Sequence, residues 1–377
     1  MNKSQAIKIL YISNPNSIHT QRWINWFAKQ GYDTTLIADT PLQSSYSKVK
    51  VIDLTRRFNF RVVRFIYWAF WLRRLISQIN PDILHAHRVS SAGWLAWISG
   101  FHPLVVTPWG SDLLTHPARS KIAKILARFV LKHADLITVN STLLREKAIY
   151  YGANPAIIHT IQWGVDLDIF YPSQNSTDLK QRLKIGGSPM ILSLRAINPI
   201  YNIETIVQAI PYVLEKYPDA IFVFLNYNAD PLYLTGLKQL VHGLQLSNHV
   251  RWVGMITQRS EFAQLLCLAD AVVSVPSSDS TPSSMLEAMA TGAPIIASDL
   301  PSIREWITDG INGILVPPGD EHALASGIIN LLSEPELCNS FKEYNLQLVR
   351  ERADHQAEMK KMEALYLNLL TKYKQQP

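Results

Sequence analysis

Short, continuously apolar segments recur along the chain and alternate with segments of helical periodicity. In the first half, the strand-like segments are Ile7–Ser13, Thr34–Ala38, Ile83–Ala86, Leu104–Thr107 and Leu136–Val139. Strands that are apolar on both faces are typical of a parallel sheet covered by helices on both sides. The segment His19–Gln30, which has helical spacing and ends at Gly31, predicts one of those covering helices.

The second half repeats this alternation. The strands predicted there are Met190–Leu194, Ile221–Leu225, Val250–Val253, Ala271–Val275, Pro294–Ala297 and Gly313–Val316. The stretch Asp166–Pro189 between the halves is polar and rich in glycine and proline, as linkers are. The pattern therefore predicts an α/β protein of two doubly wound, Rossmann-like domains facing a cleft. Ligands of such sheets bind beyond the carboxyl ends of the strands, so the cleft is the expected site.

The balance of charge points to an anionic partner. The 377 residues, enough for two domains, carry a formal net charge of +6, and the sequence pI is about 9.1. The segment Arg56–Arg74 combines arginine with Phe, Trp and Tyr, and it predicts either a helix at an anionic membrane surface or an ordinary helix packed on the sheet. No recognised nucleic-acid module accompanies these charges, so we expect no nucleic-acid partner.

We expect neither a targeting segment nor a membrane-spanning segment in this sequence. Its N-terminus enters a strand without the apolar core of a signal peptide, and no run reaches the roughly 20 apolar residues of a spanning helix. The two cysteines form no metal-binding spacing and favour a reducing compartment. We expect a cytoplasmic protein, with peripheral attachment to the inner face of the membrane left open.

The segment Ser277–Gly292 carries a helix start that suits an anionic ligand. Thr281 is predicted to cap the helix, Pro282 to occupy its first position and Gly292 to end it. The N–H groups of Ser283, Ser284 and Met285 would then be unpaired, which favours a bound anion such as a diphosphate.

Two carboxylates flank this helix start. Asp279 precedes the helix and Glu287 lies on its second turn, where it could accept hydrogen bonds from a ribose diol. From spacing alone, a loop-capping Asp279 and a solvated Glu287 remain an equal alternative.

The order of these motifs resembles glycosyltransferase family 4, the retaining group 1 glycosyl transferases. The family motif E-x7-E followed by E-A-M-A-x-G-x-P corresponds to Asp279, Glu287 and EAMATGAPII, with aspartate in the first position. The similarity extends through DLPSIREWITDGINGILVPPGDEHALA and, in the first half, through PDILHAHRVSSAGWLAW, PLVVTPWGSDLL, ADLITVNSTLL and IQWGVDLDIFYP. It covers nearly the whole chain in order.

The resemblance implies the GT-B fold, in which the two domains bind different substrates. Residues 1–170 would form the acceptor-binding domain, joined by a C-terminal helix over 355–377 that crosses back to it. Residues 171–354 would bind the nucleotide sugar. The expected reaction moves a sugar, with retention, from a nucleoside diphosphate sugar to a saccharide or lipid-linked acceptor in surface polysaccharide or glycolipid synthesis. A sugar-nucleotide 2-epimerase and a non-catalytic sugar-nucleotide-binding protein are the alternatives.

Donor-site roles follow from the resemblance. Glu287 would bind the ribose, the helix start with Thr281, Pro282 and the N–H groups of Ser283–Met285 would bind the diphosphate, and Asp279 would meet hydroxyls of the transferred sugar. Arg195 matches the family's diphosphate-binding arginine. Base and sugar selectivity would depend on the loops around Gly254, Met255 and Asp279–Thr281.

One position departs from the family pattern. The family has Lys-Gly a few residues after the arginine, and this chain has Tyr201-Asn202 there. Either Arg195 and the helix start suffice for the diphosphate, or another cation or the pair Tyr201-Asn202 takes the role of the lysine.

The acceptor side is less defined. His87, the second histidine of His85-Ala86-His87, would lie near the sugar, while His85 is expected to be a core histidine. Asp112 resembles the family's G-x-D segment and could contact the acceptor, although a capping role is equally compatible. The loop with Asn14, Asn16 and His19 follows the first strand and could also contact a substrate.

No cofactor and no metal are expected. The two histidines lack further ligands nearby, and Asp166-Leu167-Asp168 lies in a linker, after Trp-Gly-Val, rather than at an acidic strand end. An arginine and a helix N-terminus can neutralise the diphosphate without a metal.

Overall fold

The structure is a computed structural model that describes residues 6–43, 45–53, 61–172 and 177–375. The chain divides into two compact units. The first unit comprises residues 1–163 and 357–377, and the second comprises residues 164–356. The division falls after Trp163, a few residues before the expected one.

The first unit contains a seven-stranded sheet. Its strands are β1 (Lys8–Ser13), β2 (Asp33–Ala38), β3 (Lys50–Asp53), β4 (Ile83–His87), β5 (Leu104–Thr107), β6 (Leu136–Val139) and β7 (Ile158–Thr160). All pairs are parallel, in the order β3-β2-β1-β4-β5-β6-β7. The central strands β1, β4, β5 and β6 are almost wholly buried, as the apolar runs predicted.

Helices cover both faces of this sheet. They are α1 (Ile18–Lys29), α2 (Arg61–Ile79), α3 (Ser91–Ser99), α4 (Ser111–Leu114), α5 (His116–Arg119), α6 (Lys121–His133) and α7 (Thr142–Tyr150), with a 3-10 turn at Pro155–Ile157. One apolar cluster joins α2, α3, α6 and α7 to one face of the sheet. A second cluster joins α1 and the last helix of the chain to the other face.

The two outer strands β3 and β7 were not predicted. In β3 one residue is exposed and the other three are half-buried, and in β7 two of the three residues are exposed. Both strands are short and partly exposed, so they lack the continuous apolar run by which the central strands were recognised.

The second unit contains a six-stranded parallel sheet. Its strands are β8 (Met190–Ser193), β9 (Ile221–Leu225), β10 (Val250–Val253), β11 (Ala271–Ser274), β12 (Ile295–Ser298) and β13 (Ile314–Val316). Their order is β10-β9-β8-β11-β12-β13. These are the six strands predicted, and together with the first sheet they confirm two parallel Rossmann-like units.

The helices of the second unit lie on both faces of its sheet. They are α8 (Thr177–Arg182), α9 (Ile203–Leu214), α10 (Pro231–Gly243), α11 (Arg259–Leu268), α12 (Ser283–Thr291), α13 (Pro301–Arg304), α14 (Glu321–Ser333) and α15 (Pro335–Arg352), with a 3-10 turn at Pro199–Tyr201. Two apolar clusters fill the space between the helices and the sheet, one on each side.

The final helix, α16 (His355–Lys374), returns to the first unit. Its Met359, Met362 and Tyr366 are fully buried in the cluster with α1. The Tyr366 hydroxyl lies 2.5 Å from Nδ1 of His85 on β4. None of the helices in the described ranges is both long and apolar enough to cross a bilayer.

Each sheet has one point where the strand order reverses. In the first sheet this point lies between β1 and β4, and in the second it lies between β8 and β11. The connections on either side of such a point leave the sheet in opposite directions, so the carboxyl ends of the two strands border an open crevice. These two crevices are the places where the topology predicts ligands.

Candidate active site

The crevice of the second unit contains Arg195, which follows β8 by two residues. Its guanidinium Nη2 lies 2.7 Å from Oδ2 of Asp279, in the loop after β11, and its Nη1 lies 3.4 Å from the Ser284 hydroxyl. The Arg195 side chain is 11% exposed. Burial alone would lower the pKa of Arg195, but the Asp279 carboxylate and the neighbouring tyrosines outweigh it and raise that pKa. Arg195 therefore presents a permanent positive charge at the crevice.

Tyr201 and Asn202 support this arginine and its loop. The Tyr201 ring lies under the Arg195 guanidinium at 4.3 Å from the ring centroid. Asn202 has a left-handed backbone with φ of 49° and donates from Nδ2 to the carbonyl of Val275 at 2.9 Å. Its Oδ1 accepts from the hydroxyl of Ser277 at 3.0 Å. The pair thus holds the arginine and the loop after β11 in place.

Helix α12 begins one residue later than predicted. Pro282 has extended backbone angles and is the N-cap, so Thr281 is not the cap and Pro282 is not the first helical residue. The Met285 N–H donates to the carbonyl of Pro282 at 3.0 Å, so the prediction that it would be unpaired is wrong. In the described part of the chain, no group accepts a hydrogen bond from the N–H of Ser283 or Ser284. Two N–H groups therefore remain for an anion.

Glu287 lies on the second turn of α12 and is 6% exposed, rather than solvated. Its Oε1 accepts from Nη2 of Arg259 at 2.9 Å. The Arg259 guanidinium in turn lies 4.7 Å from the centroid of the Phe170 ring. Arg259 begins α11 and was missed by the sequence analysis, because it is far from Glu287 along the chain and belongs to no recognised motif.

Asp279 is held by its own loop as well as by Arg195. Its Oδ1 accepts from the N–H of Ser280 at 2.8 Å, and its carbonyl accepts from the hydroxyl of Ser302 at 2.9 Å. The structure therefore brings Arg195, Asp279 and Ser284 together. Gly254 and Met255, which follow β10, lie on an exposed loop, with Met255 72% exposed.

The crevice of the first unit contains His87, at the end of β4. The ring is fully buried, and within the described residues neither ring nitrogen has a hydrogen-bond partner. Aromatic rings surround it, with centroids 5.4 Å away for Trp23, 5.8 Å for Trp109 and 6.2 Å for Trp163. Burial lowers the pKa of His87 to about 3, with a contribution from Arg88, so this ring is neutral at physiological pH.

His85 on the same strand is a core histidine, as expected. Its Nδ1 contacts the Tyr366 hydroxyl, and its Nε2 lies 2.7 Å from the hydroxyl of Thr107. Both nitrogens are thus used inside the protein, and only His87 of the two keeps unused hydrogen-bonding capacity.

The loop after β1 is braced internally. The Asn14 Oδ1 accepts from the Asn16 N–H at 2.9 Å and from the Thr40 hydroxyl at 2.9 Å. Asn16 bonds through its side chain to the carbonyl of Pro41 at 2.7 Å. The His19 ring lies 4.8 Å from Trp163, so the structure brings it to the aromatic surroundings of His87.

Asp112 is buried at the start of α4 and caps its loop. Its carboxylate accepts from the N–H groups of Val89, Trp109 and Gly110 at 2.7–2.9 Å. Burial raises the pKa of Asp112, although these three bonds oppose the rise. The geometry favours the capping role over direct contact with an acceptor. A cavity of about 300 Å³ lies beside it, with Trp94 and His116 in its wall.

Over the described ranges, no group of three or more His, Cys, Asp and Glu could hold a metal ion.

The chain thus has two doubly wound units, and in the second a buried arginine and a helix start lie at the strand reversal. Two such units are the architecture of the GT-B class of proteins. A family model described as glycosyl transferase 4-like matches residues 8–141, and one described as glycosyl transferases group 1 matches residues 175–347. The chain belongs to the group 1 glycosyltransferases. It is therefore an enzyme that uses a nucleotide sugar, and the family expectation from the motifs is confirmed.

Curated relatives and solved structures agree with this assignment. The alpha-monoglucosyldiacylglycerol synthase of Streptococcus pneumoniae is 29% identical over 74% of this chain and 66% of its own length. Sucrose-phosphate synthase from Thermosynechococcus elongatus superposes with a TM-score of 0.84 at 19% identity, covering 97% of this chain and 99% of that one. Anabaena Alr3699/HepE in complex with UDP-glucose superposes with a TM-score of 0.79 at 17% identity, covering 95% of this chain and 100% of that one. These findings give the epimerase alternative no support.

Proposed function

We propose that this enzyme transfers a sugar from a UDP-sugar to a hydroxyl of a saccharide or lipid-linked acceptor, in surface polysaccharide or glycolipid synthesis. The observation that carries the proposal is the convergence of Arg195 and the start of α12 on one crevice. The naming of UDP-glucose in the HepE complex supports the donor class, and the lipid product named for the pneumococcal synthase supports a lipid-linked acceptor.

In this proposal the diphosphate binds to the N–H groups of Ser283 and Ser284 and to the Arg195 guanidinium. The N–H groups and the guanidinium all donate hydrogen bonds. The helix dipole and the charge of Arg195 stabilise the departing phosphate more than the phosphate of the bound nucleotide sugar, because negative charge on the phosphate grows as the sugar leaves. Glu287 accepts from the ribose hydroxyls. Asp279, shorter than the usual glutamate, meets the transferred sugar from the loop after β11.

The reaction that follows keeps the anomeric configuration. The bond between the anomeric carbon and the phosphate oxygen breaks, and the acceptor oxygen bonds to that carbon on the same face. The acceptor proton passes to the departing phosphate oxygen, so no strong protein base is required. His87 is neutral and orients a sugar hydroxyl as a hydrogen-bond partner, rather than acting as an acid.

Tyr201 and Asn202 do not replace the lysine as phosphate ligands in this proposal. Their contacts are with Arg195, Val275 and Ser277, so they act as positioning residues. Arg195 and the helix start then supply the charge, and we propose that the reaction proceeds without a metal or other cofactor.

The test is a panel of nucleoside diphosphate sugars, measured by thermal shift and by release of the nucleoside diphosphate. We expect one UDP-sugar to raise the unfolding midpoint, and EDTA to leave turnover unchanged. Arg195→Lys should lower kcat by about 10²- to 10³-fold with a smaller change in donor affinity, as for loss of one transition-state donor.

Arg182→Lys is the matched control, because Arg182, like Arg195, pairs with a carboxylate of the second unit, here that of Glu261, but is 58% exposed. It should retain wild-type turnover. Equal activity of the Arg195 and Arg182 variants would contradict the role of Arg195, and binding without release of nucleotide would contradict the transfer reaction.

A further inference from the structure

Three helices lie side by side on one face of the first unit. Arg73 of α2 donates to the carbonyls of Ile98 and Ser99 at the end of α3, at 2.7 and 3.2 Å. The Trp97 ring of α3 stacks on Phe129 of α6, with centroids 5.1 Å apart. The spatial order is therefore α2, α3, α6, and all three pack on the same apolar cluster. We call their outer surface the three-helix face.

Large apolar side chains point outward from this face. In α6, Ile122 is 70% exposed, Ile125 is 51% exposed and Phe129 is 43% exposed. Their spacing places them along one side of the helix, while Val130 on the other side is fully buried. Phe70 of α2 is 74% exposed. Helix α6 thus has two apolar sides, one in the core and one facing outward.

The charge of the face is of one sign. The sequences of α2, α3 and α6 contain no aspartate and no glutamate. Exposed cations lie among the apolar side chains: Lys121, Arg128 and Lys132 on α6, and Arg73 and Arg74 on α2. The chain as a whole has 30 acidic residues, so their absence from three neighbouring helices concentrates its positive charge here.

We propose that the three-helix face docks on an anionic lipid bilayer, with α6 in the headgroup layer and Ile122 and Ile125 inserted among the acyl chains. A helix with outward apolar residues between lysines and arginines is suited to this position, because the cations meet anionic headgroups while the apolar groups leave water. This goes beyond the proposed sugar transfer, since these helices carry none of the donor-site residues.

The charge pattern favours a bilayer over a second copy of the chain. A two-fold interface through this face would bring the same cations of two copies against each other, without an acidic residue from these helices to pair with them. The sequence analysis placed a possible membrane-binding helix at Arg56–Arg74, whereas this proposal places the contact mainly on α6. Residues 54–60 and the side chains of residues 61–69 are outside the part of the chain that the structure describes. The three-helix face is therefore argued from α3, α6 and the residues of α2 from Phe70 onward.

The test is co-sedimentation with vesicles of phosphatidylcholine, alone or with an equal part of phosphatidylglycerol. We expect the wild type to bind only the vesicles with phosphatidylglycerol, and less at high salt. In I122S/I125S, each substitution should lower the partition coefficient on the order of tenfold or more, since an inserted isoleucine is worth roughly 1.5–3 kcal/mol. K121E/R128E, which reverses two of the exposed charges on α6, should abolish binding to the anionic vesicles.

A matched control comes from α10 of the second unit, where Leu232 is 86% exposed and Lys238 is also exposed. L232S/K238E should sediment like the wild type. Thermal unfolding of each variant, and UDP-sugar turnover with a soluble acceptor, should match the wild type, which separates this proposal from failure of the proposed transfer.

Three results would overturn the proposal. They are a wild type that stays in the supernatant with anionic vesicles, α6 variants that bind as the wild type does, and α6 variants that change the oligomeric state in size-exclusion chromatography with no change in vesicle binding.

Discussion

At the scale of single residues, the proposed donor site pairs each of its carboxylates with an arginine. Asp279 pairs with Arg195, and Glu287 pairs with Arg259. A buried carboxylate without a partner would be costly, and each of these arginines balances the charge of its carboxylate. In the proposed function, the phosphates and the ribose take over some of these contacts.

Glu287→Gln should weaken nucleotide binding by about 10- to 100-fold, because a charged hydrogen bond to the ribose, worth roughly 1.5–3 kcal/mol, is replaced by a neutral one. Calorimetry with UDP measures the change. Glu261→Gln is the control, since Glu261 also pairs with an arginine, Arg182, on another helix of the second unit. Unchanged affinity in the Glu287 variant would remove its proposed role with the ribose.

His87 should make the protein less stable in acid. In the unfolded chain the ring takes up a proton near pH 6.5, whereas burial lowers the pKa to about 3 in the folded chain. Between these values the unfolded chain binds more protons, so the free energy of unfolding falls as the pH falls.

The thermal unfolding midpoint of the His87→Asn variant should therefore fall less than that of the wild type as the pH is lowered from about 6 to about 4. Thermal scans across this range measure the difference, with His322→Asn at an exposed position of α14 as control. Parallel curves for the wild type and the His87 variant would contradict the burial of a neutral ring.

At the scale of elements, the sequence predicted all six strands of the second sheet, including its edge strands β10 and β13, and missed only the edge strands β3 and β7 of the first sheet. Continuous apolar runs mark β1, β4, β8 and β11, and these are the strands that form the two crevices. Short edge strands such as β3 carry no comparable signal. The candidate site residues Arg195, Asp279 and His87 could therefore be placed from the sequence, because they lie at or just after the ends of central strands.

The start of α12 shows a limit of local rules. Thr281-Pro282 fits the usual preference for a cap followed by proline, but the extended backbone of Pro282 makes it the cap instead. Contacts between distant segments were out of reach for a similar reason. Neither the Arg259–Glu287 pair nor the ring of tryptophans around His87 follows any periodicity along the chain.

At the scale of the whole molecule, Tyr366 ties the last helix to the central strand β4 of the first sheet. Tyr366→Phe should lower the free energy of unfolding by about 1–3 kcal/mol, because Nδ1 of His85 is left without its partner in the core. Urea unfolding measures the loss. Tyr344→Phe, at a side chain that is 48% exposed, should leave stability unchanged, and an equal effect of the two would contradict this role.

The place of α16 in the first unit also affects the order in which the chain can fold during synthesis. The side chains of Met359, Met362 and Tyr366 complete the core around α1, yet the ribosome makes them only after residues 164–356. Domains usually fold in the order in which they are made. Here the second unit is complete first, and the first unit must wait with the apolar surface of Trp23 and Phe27 uncovered. We therefore expect nascent chains that stop before α16 to be the species that most need chaperones.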